Sequence, residues 1–452
     1  MQHILKWVFD TQLLQKLSKT KSPVNNLAHN ANCDLHKLAQ NFLLTLKDGP
    51  LAIAVSGGSD SMAALDLLSK ANSHNRVLHC FTVDHQLREE AKLEAQFVSD
   101  FCVERNIAHQ TLVWDDIKPK AGLQNAARWA RYEFLDQACR DIGAVGLVTG
   151  HNLDDQIETV HMRLQRDKTG EGAGLSGMAN AALFFQTMWV LRPFLSVGKQ
   201  ELKDHLVRSS LNWKEDPSNI DEKYERVRVR HQSDIDVNIA DIASHAQNRK
   251  SISNSAARYI AQNCKTVNGL VFELTILDHK QQVVEKVLEV LVHIIGGRDR
   301  SLSRDDVISL YDFAFSETDA RTTMGRVILD KRENVIQLYR ENRGFDENHL
   351  NGGEAMNWDG RFLIENHSED KKCHIRQDAN ELGCPPVIKW PGDDEWLPVA
   401  SSEILSIMPI INKYDHVLSE FDFELANAVA RLMGRSEFLL PFDSAKLQNQ
   451  EL

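Results

Sequence analysis

The sequence predicts an α/β protein: an N-terminal domain built on a parallel sheet, a helical domain after it, and a small mixed α+β C-terminal domain. Three observations carry this. From residue 51 to about 150, short apolar runs alternate with segments of helical period, the pattern of strand–helix units in a parallel sheet. Between about 234 and 320 the spacing reads as helical throughout. Beyond residue 346 the pattern is mixed, and NHSEDKKCHIRQDANELGCPP has the composition of a surface loop.

The elements follow in order. LAIAV (51–55) is a short buried strand, and residues 76–83, 107–114 and 143–150 give three more. Leu93, Phe97 and Phe101 recur at helical spacing between them, as do Ala126, Ala130 and Phe134. MWVLRP is a fifth strand ending at Pro193, and Ser196 opens a helix that runs through Arg208. VVEKVLEVLVHII is an amphipathic helix ending at Gly296-Gly297, and Ser303 with Asp306 makes an acidic capping box for the next. Residues 323–342 read as a β-hairpin turning near Glu333-Asn334. The expected divisions are an extension at 1–45, the sheet domain at 46–232, the helical domain with its closing hairpin at 233–345, and the mixed domain at 346–452.

The bulk composition excludes several classes. No apolar run approaches the ~20 residues that span a bilayer, so no membrane partner is expected. The first residues, MQHILKWVFDTQLLQKLSKTK, lack a signal-peptide core and read as an amphipathic helix or an extension. Seven dispersed cysteines with no CxxC pair point to reduced thiols and a cytoplasmic location. A net charge of -12 argues against a surface that binds nucleic acid along its whole length, though not against local basic patches.

The chemistry gathers at strand ends, where open parallel sheets hold their ligands. SGGSDS follows the first strand: Ser56, Gly57, Gly58, Ser59, Asp60 and Ser61 form a glycine turn before a helix, an arrangement that cradles phosphate on backbone N–H groups. It has no lysine and is neither a Walker A loop nor GxGxxG; serine hydroxyls serve as donors instead. Asp60 is out of place in a pure anion site and makes sense if it holds Mg²⁺ or meets a cationic substrate. A plain Gly-Ser turn with an N-capping aspartate is the competing interpretation. After the fourth strand comes TGHNLDDQIETVHMRL (149–164). Read as a helix, it sets Ile157, Val160, His161 and Leu164 on one face, with His151, Asp154, Asp155 and Glu158 roughly opposite. Acids in a first turn suit the helix dipole. Three carboxylates beside a phosphate site also repel unless cations intervene, and Mg²⁺ or substrate ammonium groups would serve.

Together VSGGSDS, the DDQIET helix, GLSGM (174–178), LRPFL (191–195) and WKEDPSNIDEKYERVRVR (213–230) resemble the tRNA(Ile)-lysidine synthetase family of PP-loop ATP pyrophosphatases. The resemblance is close over roughly residues 48–232. It implies a PP-loop, adenine nucleotide α-hydrolase-like fold and a reaction with ATP and Mg²⁺. In that reaction the wobble cytidine of a CAU-anticodon tRNA(Ile) is adenylated, and free L-lysine then displaces AMP to give lysidine. It implies catalytic roles for Asp60, Asp155 and Glu158, with Asp155 and Glu158 recognising lysine and Asp60 touching the metal. Dimers are frequent in the family, so a homodimer is expected.

Arg128 and Arg131 share one side of the helix in GLQNAARWARYEFL (122–135); the resemblance offers Arg128 to the lysine carboxylate and Arg131 to tRNA, while a solvated helix face stands equally. Arg226, Arg228 and Arg230 alternate with valine, which suggests an extended track for RNA phosphates or an exposed, salt-bridged edge strand. The chain departs from the family at Val227, at Asn152 and in the long acidic loop 166–175. Two rivals are a PP-loop tRNA thiolation enzyme, disfavoured by the unpaired cysteines, and a non-catalytic ATP- or RNA-binding scaffold, disfavoured by the second set of carboxylates.

Overall fold

The computed structural model describes residues 34–87, 90–116, 118–119, 121–166, 173–215, 237–267, 269–345 and 347–443. The chain divides into two compact units, one of residues 1–249 with 439–452 and one of residues 250–438. Arg226, Arg228 and Arg230, with most of the EDPSN segment, lie outside the described residues.

In the first unit the strands are β1 (Leu51–Ala54), β2 (Leu78–Asp84), β3 (Ala108–Val113), β4 (Leu147–Thr149), β5 (Ala181–Phe184) and β6 (Met188–Leu191). Their order across the sheet is β5-β6-β4-β1-β2-β3. β1 runs parallel to β2 and β4, with Leu51 opposite Leu78 and Ala52 opposite Leu147. Its Leu51, Ala52 and Ile53 are wholly buried, the continuous apolar run of a strand covered on both faces. The helices are α1 (Leu35–Thr45), α2 (Ser59–Ala71), α3 (Glu90–Glu104), α4 (Leu123–Asp141), α5 (Leu153–Arg166) and α6 (Lys199–Arg208). From β1 the chain passes to β2 on one side, while β4 lies on the other, so a switch point opens at the carboxyl end of β1.

Several elements differ from the sequence reading for physical reasons. β5 was hidden because its hairpin to β6 turns at Phe185 and Gln186, both at positive φ, with no Asn-Gly to mark it. The helix expected from Ser196 begins at Lys199, with Gly198 as its N-cap. α3 buries Ala95, Val98, Phe101 and Cys102, while Leu93 is 68% exposed. In α5, Gln156, Glu158, Thr159 and Val160 are buried and Leu164 faces outward. Polar pairing turns that helix. The Gln156 amide donates to Met178 O (2.9 Å) and accepts from Met178 N–H (2.6 Å), and Arg163 donates to Gly174 O (2.7 Å) and Gly177 O (3.1 Å).

The long helix α7 (Ile239–Asn263) contains the division between the units. The second unit holds a five-stranded antiparallel sheet ordered β7-β8-β11-β10-β9. Its strands are β7 (Cys264–Val267), β8 (Val271–Thr275), β9 (Ala320–Met324), β10 (Val327–Arg332) and β11 (Val335–Arg340). β7 and β8 interrupt the stretch expected to be all-helical. The β10–β11 hairpin turns at Glu333, at φ +52°, as its sequence indicates. α8 (Gln281–Ile295) is buried on almost every side, and α9 (Arg304–Ala314) carries the Ser303–Asp306 capping box in full. Two small antiparallel sheets follow, and Trp358 stands in their core with Phe362, Ile364, Ile375 and Ile388.

Candidate active site

The SGGSDS turn closes the end of β1. Gly57 takes φ +86°, a conformation that side chains resist, and Gly58 caps α2 in an extended conformation. Ser61 is engaged inside the loop: its hydroxyl donates to Gly58 O (3.0 Å) and accepts from Ser56 N–H (3.2 Å), while Ser56 Oγ lies 3.3 Å away. Ser59 Oγ donates to Asp60 Oδ1 (3.0 Å). Lys214 N–H donates to Gly57 O (2.8 Å), tying the segment before EDPSN to the turn. These contacts fix the loop's shape without using the N–H groups at the start of α2, which a helix leaves open to an anion.

The acidic helix sits directly against this turn. A Cβ on Gly150 would lie 2.8 Å from the backbone of Asp60 and Ser61, so only glycine lets the end of β4 pack there. Two residues on, Asn152 and Asp155 cap α5 reciprocally: Asn152 N–H donates to Asp155 Oδ2 (3.1 Å) and Asp155 N–H donates to Asn152 Oδ1 (3.2 Å). Asn152, the departure from the family pattern, is thus the N-cap. One Asp155 oxygen serves the cap, and Glu158 is 5% exposed.

Sequence reasoning missed Lys199. Its Nζ lies 3.5 Å from Asp60 Oδ2, and its N–H donates to Asp154 Oδ2 (2.7 Å). The signal available was a cation in the first turn of a helix, against the dipole. Asp60 offers a hard oxygen and is partly exposed, which suits an Mg²⁺ carried in by nucleotide phosphates. Among the described residues no three metal-ligating side chains converge, so the phosphates would supply the remaining ligands.

Arg128 and Arg131 flank Tyr132, with guanidinium carbons 5.4 and 5.6 Å from its ring centre. Tyr132 is buried and stacks on Phe184 at 4.4 Å. Burial pushes its hydroxyl up, but Arg131, Arg128 and Arg192 outweigh that and hold it below the usual phenol range. Arg131 also faces His85 at the end of β2. Burial first, then Arg131, pushes the His85 imidazole down, and Asp84 opposes them. His85 stands edge-on to Trp114 at 5.8 Å. Burial pushes the Cys139 and Cys264 thiols up to about 12, whereas hydrogen bonding with Cys80, helped by Arg105, holds Cys102 below the usual thiol range.

A PP-loop domain family matches residues 27–233. Three curated relatives are each named tRNA(Ile)-lysidine synthase. The protein of Rhizobium meliloti (strain 1021) is 33% identical over 437 residues, covering 89% of this chain and 96% of its own. That of Brucella anthropi is 31% identical, covering 84% and 93%. That of Mesorhizobium japonicum is 33% identical, covering 85% and 92%.

Proposed function

The chain belongs to the tRNA(Ile)-lysidine synthase family, and from that premise we propose how its own residues share the reaction. It is a PP-loop ligase that uses ATP to form lysidine on tRNA(Ile). The 2-oxo oxygen of the wobble cytidine in a CAU anticodon attacks the α-phosphorus of ATP, and pyrophosphate leaves. The ε-amine of free lysine then bonds to the activated ring carbon, the carbon–oxygen bond breaks, and AMP departs.

The turn of Ser56, Gly57, Gly58, Ser59 and Ser61 presents backbone N–H groups to the phosphates, preorganised where charge develops. Asp60 stands on the cation side of that cradle. Mg²⁺, when bound there, would neutralise phosphate charge and favour departure of pyrophosphate. Asp155 and Glu158 hold the lysine amino groups in position, and one of these carboxylates takes the proton that the ε-ammonium must lose before its nitrogen attacks. Arg128 takes the lysine carboxylate, and Arg131 with Arg226, Arg228 and Arg230 meets tRNA phosphates. The enzyme works in the cytoplasm as a homodimer.

One observation carries this division of labour: Gly150 brings the acidic helix against the backbone of Asp60 and Ser61, joining a phosphate cradle to a carboxylate set at one switch point. The test is incubation with radiolabelled lysine, ATP, Mg²⁺ and unmodified CAU-anticodon tRNA. Label enters the tRNA if the proposal holds. Entry of sulfur or another amino acid in its place refutes it.

A further inference from the structure

The phosphate cradle contains no lysine, yet the fold delivers one to it. Lys199 comes from α6, far along the chain, and sets its Nζ 3.5 Å from Asp60 Oδ2. Its backbone is held firmly. Lys199 N–H donates to Asp154 (2.7 Å), and Leu153 N–H donates to Val197 O (2.9 Å), so the start of α6 is fastened to the start of α5. Further along, α6 is fastened to α2: His205 Nε2 lies 2.8 Å from Asp66 Oδ2, and Lys70 Nζ donates to Ser209 Oγ (3.1 Å). Leu202 and Leu206 are wholly buried between these ties. The base of the Lys199 side chain is therefore fixed relative to the cradle, and only its four-carbon stem has freedom.

The ammonium itself is weakly held. The two side chains are 31% and 26% exposed, and a partly exposed pair at this separation, alone among the described residues, contributes little. A first-turn cation also opposes the helix dipole. Such a charge moves readily to a stronger anion that arrives within reach. ATP brings several negative charges to the same turn, against the one on Asp60.

We propose that Lys199 is a phosphate-binding residue of the nucleotide site: paired with Asp60 in this structure, it passes its ammonium to the phosphates when ATP binds. The move supplies the cation that the SGGSDS turn lacks and frees the Asp60 carboxylate for a cation accompanying the nucleotide. This rests on the ATP reading above.

The experiment is calorimetric titration of the full chain, with Mg²⁺, against ATP and against adenosine, which lacks phosphates. Lys199→Met weakens ATP binding about 10- to 100-fold and leaves adenosine within about twofold, while Lys199→Arg recovers most of the loss. Unchanged ATP affinity in Lys199→Met overturns the proposal. So does a parallel loss of ATP and adenosine that Lys199→Arg fails to repair, which marks a structural peg. A wild-type chain that binds no ATP overturns the nucleotide reading itself, and the wild-type titration alone reveals it.

Discussion

Asp60 in the first unit and Asp359 in the second carry the same charge in opposite settings. Asp60 is 26% exposed, and among the described residues one cation, Lys199, stands 3.5 Å from it. Asp359 is 3% exposed and is shared by three arginines: Arg340 at 3.1 Å, Arg361 at 2.6 Å, and Arg326. Arg340 and Arg361 spend their remaining donors on the carbonyls of Glu341, Arg343, Gly383 and Cys384. A saturated carboxylate of that kind locks strands and loops together and has no capacity left for a ligand. The loosely paired one keeps that capacity. Asp66, six residues along α2 from Asp60, is buried like Asp359: it is wholly enclosed, and His205 and Lys70 overcome the burial that would raise it and hold it below the usual carboxylate range. Exposure and the number of partners distinguish Asp60 from Asp66 and Asp359.

The contrast breaks first at Asp359. Asp359→Ala leaves three guanidinium groups around a hole and costs the second unit about 3–5 kcal/mol. Hydrogen exchange of the β10 and β11 amides reads this as a large loss of protection. Unchanged protection would mean that the hub holds nothing.

A smaller effect concerns pH. His293 on α8 is 3% exposed, and burial, with Lys413, pushes its imidazole down to about 4. As pH falls below 6.5, the unfolded chain takes the proton first, so acid favours unfolding through this group. Stability of the second unit falls by up to about 3 kcal/mol between pH 6.5 and 4. Nearby Glu289, which Lys286 and Lys413 hold at about 2 against its burial, adds its own loss only at the acid end of that window, as pH falls through the unfolded carboxyl range. Urea unfolding at stepped pH checks the slope, and His293→Gln flattens it. A slope unchanged in that variant assigns the acid sensitivity elsewhere.

Much of the first unit was legible because its signals are local. A buried strand, a glycine turn and a helix occupy residues 51–71 without a break, and the DDQIET segment announces its own helix start. The rest depends on partners distant in sequence. Nothing near Lys199 tells that it meets Asp60, and nothing near Asp359 tells that three arginines surround it. The burial of Glu158 and the outward turn of Leu164 follow from Gln156 and Arg163 reaching backbone carbonyls beyond the end of α5. Val160 packs against Leu175 and Ile242, but apolar spacing cannot foresee the polar pairs beside it. β5 escaped notice for a related reason, since Phe185 and Gln186 adopt a turn conformation that their residue types do not advertise.

In the proposed reaction one switch point holds two half-sites, the cradle with Asp60 for ATP and the α5 carboxylates for lysine. Pyrophosphate release from ATP and CAU-anticodon tRNA without lysine, measured beside incorporation of labelled lysine, tests it most directly. Asp60→Ala loses pyrophosphate release by about 100-fold or more. Glu158→Gln keeps that release within a few-fold and loses lysine incorporation by about 10- to 100-fold. If both variants fail at the same step, or if Asp60→Ala still releases pyrophosphate at the wild-type rate, the two half-sites are not divided as described.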